Sequence, residues 1–188
     1  MRTIVPFPDL SRVKALQANK LGALWAVVGR AMTGAMGVHS ESSAAILLWL
    51  YHWAPTGVVE LGRVVGLSQP ACSRAVDKLT AAGLLLKAPS GARETWLELS
   101  PEGRAEAERL QSARLQACDR LLNALSRQER ATMATLLDKM LAAPVESRAY
   151  ARNVCRFCDH GMCDGPACPV GCRATEIEGE AASVRGLQ

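Results

Sequence analysis

The chain has 188 residues, enough for one domain with an appendage, and 49% of them are hydrophobic, which is sufficient for a buried core. Only 4% are aromatic, which favours a mainly helical protein over a β-sandwich, and a net charge of +4 is too small to identify a DNA-binding protein by itself. With no apolar run of about eighteen residues and no signal-peptide pattern, the sequence predicts a cytoplasmic protein without membrane attachment, whose seven Cys are reduced thiols or metal ligands.

Two apolar helices are predicted in the first third of the chain. Asp9 is a candidate cap for the first, which runs from Leu10 to about Met36 with apolar residues at helical spacing. Ser40 begins the second, and residues 44–53 are almost wholly apolar. A helix that is apolar on every side must be buried on every side, so we expect the second helix to lie at the centre of the core.

A helix-turn-helix pattern begins at Val58. A short helix with its apolar residues on one face ends at Gly66, and Ser68 is the predicted N-cap of a second helix with Pro70 in its first turn. One side of that second helix is apolar and should face the core. The opposite side is the candidate surface for insertion into the DNA major groove, where Arg and Gln pair with purine edges. This surface consists of Ser68, Gln69, Pro70, Ser73, Arg74, Asp77 and Lys78.

A two-stranded hairpin is predicted next. Leu84–Lys87 and Glu94–Leu99 are the predicted strands, because apolar and polar residues alternate in the second run and a turn-rich segment separates the two. Lys87 and Arg93 lie at or near the hairpin tip, where a cation reaches a minor groove or a phosphate. The order of helix, turn, helix and hairpin is that of a winged helix-turn-helix.

Five segments carry a family pattern: Leu61-Gly62-Arg63, Leu67-Ser68-Gln69-Pro70, Ser73 to Leu79, Gly83-Leu84 and Leu99 to Gly103. On these segments the sequence resembles the MarR family of bacterial transcription regulators, over roughly Asp9 to Pro144. The resemblance implies a homodimer that binds double-stranded DNA. One position departs from the family pattern: Gly91 stands where an Asp usually precedes the wing Arg, here Arg93. We therefore expect a wing that is held less firmly or that contacts DNA less specifically.

Two further helices follow the hairpin. Ser100-Pro101 predicts the start of a helix to Leu125, whose first half, rich in Glu and Arg, we interpret as a solvated connector. A capping box at Ser126–Glu129 opens the last helix, which Pro144 ends. Their apolar stripes lack partners in so short a chain, so we predict pairing with the first helix across the two-fold axis of a homodimer. Two recognition helices about 34 to 36 Å apart would then read a pseudo-palindromic operator.

The C-terminal tail is distinguished by its cysteines. Five of the seven Cys lie between Cys155 and Cys172, and thiolates this close repel each other unless they share a cation. The run therefore predicts a metal-type site. One C-x2-C pair and a Cys-Pro ending favour an iron–sulfur cluster over zinc, with a metal-free thiol switch as a third alternative. The predicted ligands are Cys155, Cys158, Cys163 and Cys168, with Cys172 and His160 in reserve.

The aromatic end of the second helix has two interpretations. Trp49, His52 and Trp53 are expected to pack against the winged lobe, because core aromatics far outnumber those that contact ligands. The resemblance offers the alternative that they line a pocket for a small aromatic effector, since related regulators bind such molecules near this region.

These patterns predict a mainly α fold with a small β-wing and four parts of the chain. Residues 1–39 form an N-terminal dimerisation arm and helix, and residues 40–100 form the winged helix-turn-helix DNA-binding lobe. Residues 101–147 supply the C-terminal dimerisation helices. Residues 148–188 form the Cys-rich tail, with a disordered end.

Three functional hypotheses follow. The first is a dimeric, sequence-specific DNA-binding regulator, a repressor, whose tail binds a cluster or metal and senses redox or metal state. The second keeps the regulator but makes the tail a structural zinc site and a small aromatic effector the signal. The third, a cluster-bearing redox enzyme, is disfavoured because the sequence has no nucleophile–base pair, Gly-rich phosphate loop or paired-carboxylate site.

Overall fold

A computed structural model describes residues 11–88 and 95–185 of the chain. Helices make up most of these ranges, and a small antiparallel sheet lies among them. This arrangement confirms the predicted fold class, mainly α with a small β-wing. The predicted cap Asp9 and the wing-tip positions Gly91 and Arg93 lie outside the described residues.

Eight α-helices and three strands occur in the described ranges. The helices are α1 (Arg12–Met36), α2 (Glu41–Trp53), α3 (Val58–Val65), α4 (Gln69–Ala81), α5 (Pro101–Leu122), α6 (Arg127–Ala142), α7 (Arg148–Val154) and α8 (Pro169–Arg185). The strands are β1 (Thr56–Gly57), β2 (Leu85–Ala88) and β3 (Trp96–Leu99), in the sheet order β1-β3-β2. Strand β1 is not among the predicted elements, because two residues are too few to show alternation. It pairs antiparallel with β3 and ties the start of α3 to the wing.

Helix α2 lies at the centre of the main core, as its all-round apolarity predicts. Every residue from position 43 to position 50 is buried. Leu61 of α3, Val76 of α4, Leu97 of β3 and Leu110 of α5 are buried in the same cluster. Each such side chain contributes roughly 1.5–3 kcal/mol when it is fully buried. Burial of α2 therefore joins the helix-turn-helix, the wing and α5 into one lobe.

The helix-turn-helix is capped as predicted. Gly66 ends α3 in the left-handed conformation, with φ 71° and ψ 32°, and its N–H donates to the Gly62 carbonyl. Ser68 is the N-cap of α4, although its side chain makes no capping hydrogen bond. Cys72 and Leu79 are buried, which confirms the inward side of α4.

The two long flanking helices differ from the prediction. Ser11, not the expected Asp9, caps α1. The interpretation of the first half of α5 as a solvated connector is wrong, because Ala107 and Leu110 are buried in the main core. Small residues between the charged ones let this half approach α2. The helix also ends three residues earlier than predicted, at Leu122.

Helices α1 and α6 keep apolar side chains on their surfaces. Trp25 on α1 is 78% exposed, and Leu136 and Met140 on α6 are 52% and 48% exposed. These exposed side chains belong to the apolar stripes that the sequence predicts to pack against a second copy of the chain. No single helix within the described ranges is long and apolar enough to cross a membrane, and α1 and α2, bent by 74°, meet that test of length and composition only as a pair.

The Cys-rich tail folds back on the winged lobe. Helix α7 packs against α3, and a short 3₁₀ turn at Cys155–Phe157 packs against α2. A second apolar cluster, in which Val145, Ala151 and Ala174 are buried, joins α7 to α8. Helix α8 continues to Arg185, and residues 186–188, at the end for which the sequence predicts disorder, lie outside the described residues.

We expect Gly103→Ala to destabilise the protein severely. An added Cβ would lie 1.9 Å from the Leu84 carbonyl oxygen, a backbone atom that cannot rotate away. Overpacking of this size costs about 3 kcal/mol or more. Gly179→Ala is the matched control, because a Cβ there meets no atom within 4 Å. Urea denaturation measures both variants, and equal unfolding midpoints would contradict the close approach of α5 to the wing.

Candidate functional site

The polar side of α4 is presented to solvent. Its exposed members are Ser68, Gln69, Pro70, Arg74, Asp77 and Lys78, and Ser73 is half-buried. Arg74 has no hydrogen-bond or ion-pair partner in the described part of the chain. Its guanidinium is therefore available to an external acceptor, and the N-terminal half of α4 is accessible as a recognition helix must be.

Two of the predicted DNA contacts bind each other. Lys87 Nζ on β2 lies 2.7 Å from Asp77 Oδ1 on α4. An exposed ion pair of this kind contributes little stability, but it shows that the wing strand lies beside the candidate recognition helix. The two candidate DNA-reading elements are therefore neighbours on one side of the molecule.

Four cysteines from separate segments of the tail come close together. Cys155 and Cys168 are buried, Cys158 and Cys163 are half-buried, and all four are free thiols. The Cys155 thiol interacts with those of Cys158 and Cys168, and the Cys163 thiol interacts with the same two. Each of these interactions joins two thiols. Within the described residues, no three His, Cys, Asp or Glu side chains already have the arrangement that holds a metal ion.

The sulfur of Cys168 lies at the start of α8. Its Sγ accepts a hydrogen bond from the Gly171 N–H at 3.2 Å, as a capping side chain does. Cys172 instead donates from its Sγ to the Gly165 carbonyl at 3.3 Å. An N–H donor supports a thiolate as a metal ligand, so Cys168 is better prepared for ligation than Cys172.

The clustered thiols differ in acidity. The pKa of Cys158 is lowered to about 7, chiefly because the Cys155 thiol donates a hydrogen bond to its sulfur, and also because the Arg114 guanidinium is near. The same hydrogen bond and burial raise the pKa of Cys155. Burial raises the pKa of Cys163 to about 12, and the nearby Cys168 and Cys158 add to that effect. Of these three thiols, Cys158 is the one that ionises near neutral pH.

His160, from the Cys-rich loop, lies among the aromatic side chains of α2. Its ring centroid is 5.2 Å from that of Trp53, 5.3 Å from that of His52 and 6.2 Å from that of Trp49. Its Nε2 is buried without a hydrogen-bond partner among the described residues, and burial lowers its pKa. The α2 aromatics therefore pack against the tail.

The two sites that the sequence predicts separately share one cavity. The cavity has a volume of about 640 Å³ and lies between α2, α7 and the start of α8. Trp49 and Trp53 of the predicted effector pocket line it, together with the predicted ligands Cys155, Cys163 and Cys168. Both reserve ligands also line it, whereas His52 and Cys158 do not. The cavity is thus lined both by aromatic side chains of α2 and by cysteine thiols of the tail.

The tail also contacts the helix-turn-helix directly, which the sequence does not predict. Asn153 Nδ2 on α7 donates to the Val64 carbonyl near the end of α3 at 2.8 Å. Arg152 forms an ion pair with Glu60 of the same helix. Partners so far apart in sequence leave no spacing signal, so these contacts could be found only from the fold.

A capped recognition helix with a wing strand beside it defines the class of this lobe as winged helix-turn-helix. The MarR family model matches residues 40–91, which contain α2, α3, α4 and β2. This lobe is therefore similar to the MarR family over residues 40–91. This match confirms the resemblance that the sequence segments indicate.

Solved structures share the fold. A MarR family protein of Bacillus stearothermophilus has a TM-score of 0.63 at 18% identity, over 71% of this chain and 96% of that one. RV1404 of Mycobacterium tuberculosis has a TM-score of 0.60 at 21% identity, over 75% of this chain and 100% of that one. A MarR-family transcriptional regulator of Silicibacter pomeroyi has a TM-score of 0.50 at 28% identity, over 73% of this chain and 92% of that one. No curated protein matches the sequence significantly.

In the metal-free, reduced protein we expect iodoacetamide at pH 7 to modify Cys158 before Cys155 and Cys163. The pKa of about 7 leaves much of Cys158 as thiolate at that pH, whereas a pKa of about 12 keeps Cys163 protonated. Between pH 6 and 8 the Cys158 rate should rise about tenfold, because the thiolate fraction increases through the pKa. Peptide mass spectrometry measures the three rates. Equal rates, or a Cys158 rate that does not change with pH, would contradict the assignment.

Proposed function

We propose that the protein is a homodimeric, sequence-specific DNA-binding repressor whose Cys-rich tail binds an iron–sulfur cluster or a metal ion and adjusts DNA binding to the state of that site. The observation that carries the proposal is the position of the tail. Through α7 it links the clustered thiols to α3 of the helix-turn-helix.

Dimerisation is supported by the apolar faces of α1 and α6. Leu24 and Trp25 on α1, and Leu137 and Met140 on α6, are each at least 39% exposed in the single chain. Apolar side chains grouped in this way mark a protein interface. A two-fold pair would present two α4 helices to the DNA about 34 to 36 Å apart, the spacing of successive major grooves on one side of the duplex.

A metal–thiolate centre is supported by the chemistry of the donors. Thiolates are the ligands that iron–sulfur clusters and zinc share, and four free thiols from separate segments lie near one another. The Cys-Pro ending favours the cluster, and a cavity of about 640 Å³ beside three of the thiols has room for a group larger than a single ion. Ligation would draw these segments onto one centre, so metal binding and folding of the tail are coupled.

The route from the thiols to the DNA-binding lobe is short. Helix α7 ends at Val154, and Cys155 follows directly. Asn153 holds this end of α7 to the Val64 carbonyl, and its Nδ2 lies only 3.2 Å from the position of a Cβ on Gly66, the turn between α3 and α4. A displacement of Cys155 therefore moves a direct contact of the helix-turn-helix.

A second candidate function keeps the regulator but uses a structural zinc site and an aromatic effector as the signal. The stacked rings of Trp49 and Trp53, 5.7 Å apart along one wall of the cavity, favour it. Among proteins of the same fold, NadR has been solved in complex with 4-hydroxyphenylacetate.

Arg74→Ala should weaken binding to an operator that wild-type protein selects from random DNA. Loss of one Arg contact to a base costs about 1–3 kcal/mol. Arg120→Ala, which removes an exposed Arg from α5, is the control and should bind as wild type does. Gel-shift titration at fixed salt measures the three affinities. Equal affinities for the two variants would contradict the role of α4 as the recognition helix.

Removal of the metal should change the DNA affinity of the wild-type protein, by roughly 5- to 150-fold for a coupling of ordinary size. The protein is purified without oxygen, its absorbance, metal and sulfide are measured, and operator affinity is determined before and after chelation. Cys155→Ser/Cys158→Ser should not respond to the chelator. Asn153→Ala should keep the metal but lose the response, because it lacks the hydrogen bond to α3.

The outcomes separate the two candidate functions. If the tail is a structural zinc site, chelation lowers thermal stability and leaves operator release by the effector intact. Equal operator binding by wild type and the double-Ser variant, with metal present and absent, would contradict a sensing tail.

A further inference from the structure

Arg114 on α5 is a half-buried cation without a carboxylate partner. Its Nε is buried and makes no hydrogen bond, and no ion pair involves its guanidinium in the described part of the chain. The side chain borders a small gap between α1, α2 and α5, next to Met36 and Leu48. The arginines of α7 differ, since Arg148 and Arg152 both pair with Glu side chains.

The guanidinium of Arg114 faces the Cys-rich loop. With the Gln111 amide oriented to satisfy its neighbours, its carbonyl oxygen accepts from Arg114 Nη2 at 2.7 Å and from the Asp159 N–H at 3.3 Å. Asp159 follows Cys158 directly, and Arg114 acts electrostatically on the Cys158 thiol. Gln111 is itself buried, so this contact is shielded from solvent.

The carboxylate of Asp159, the loop residue whose N–H contacts Gln111, is engaged elsewhere. Asp159 Oδ1 accepts from the Gly161 N–H at 2.9 Å and lies 3.9 Å from His52 Nε2. A desolvated guanidinium is unfavourable unless an anion compensates it. Four thiolates that share one divalent cation keep a net negative charge, and such a centre would lie beside Arg114.

We infer that Arg114 is the countercharge of a metal–thiolate centre at Cys155, Cys158, Cys163 and Cys168, and that Arg114 and Gln111 link this centre to helix α5. The inference rests on the metal binding proposed above. Arg114 is a positioning residue, because it supports the ligands from outside and does not bind the metal. Since α5 packs against α1 and α2, the Cys site then has a connection to the rest of the chain through α5, in addition to those through α7 and the 3₁₀ turn.

The test is a Co²⁺ titration of the metal-free, reduced, full-length protein, followed by thiolate-to-metal absorbance and by competition with a chelator. Arg114→Met keeps an apolar stem and removes the charge, and it should weaken Co²⁺ binding roughly 10- to 100-fold, the usual effect of losing a residue that supports metal ligands. Arg114→Lys keeps the charge and should recover most of the affinity. Arg120→Met, on the same helix but exposed, should match wild type.

A second measurement tests the link to α5. Amides near Gln111 should gain hydrogen-exchange protection when Co²⁺ binds to the wild-type and Arg114→Lys proteins, and not when it binds to Arg114→Met. If Arg114→Met is not folded by circular dichroism, Arg114→Gln replaces it with the same expected result.

Equal Co²⁺ affinities for wild type and the uncharged variant overturn the inference and leave the proposed function intact. A loss in Arg114→Lys as large as that in Arg114→Met also overturns it, because geometry and not charge would then be decisive. A wild-type protein that binds neither Co²⁺ nor a cluster reconstituted from iron and sulfide overturns the proposed metal site itself, and this inference with it.

Discussion

The structure depends on covering helix α2 on all of its sides. Its residues 43–50 are all buried, so no face of this stretch is left to water. Helix α5 covers one side, α3, α4 and the wing cover another, and the 3₁₀ turn at Cys155–Phe157 covers a third. Phe157 packs against the main core, and Arg156 pairs with Glu41 at the start of α2 at 2.7 Å. The tail is therefore part of the packing of the DNA-binding lobe.

The tail has little core of its own. Its buried cluster contains small aliphatic side chains such as Val145, Ala151 and Ala174, together with the sulfurs of Cys155 and Cys168. A cluster of this size cannot offset the conformational entropy of about forty residues without help. Contacts with the lobe supply part of the free energy that is needed to order the tail, and a ligand shared by the thiols would supply more. A change at the sulfurs should therefore alter the order of the tail first, and the helix-turn-helix through it.

Local features of this fold could be predicted, and contacts between distant segments could not. The end of α3 at Gly66 depends on its neighbours in sequence, as do the other caps and turns. The sequence wrongly predicts a solvated first half of α5 because charged residues outnumber small ones there, although Ala107 can be buried wherever a neighbouring helix comes close. The bond from Asn153 to Val64 joins residues 89 positions apart, and no spacing in the sequence connects the two segments. Spacing identified the clustered cysteines, but nothing in the sequence distinguishes Arg114 from the other arginines of α5.

The shared cavity changes how the two candidate signals relate to each other. Trp49 and Trp53 face the same space as Cys163 and Cys168, so a molecule stacked on the rings would lie beside the thiols. Any factor by which a bound metal changes the affinity for that molecule must equal the factor by which the molecule changes the affinity for the metal. His160 lies at this junction, with its ring against both Trp side chains. A metal ion at the thiols and an aromatic molecule on the rings, the two ligands proposed above, would therefore be linked ligands of one cavity.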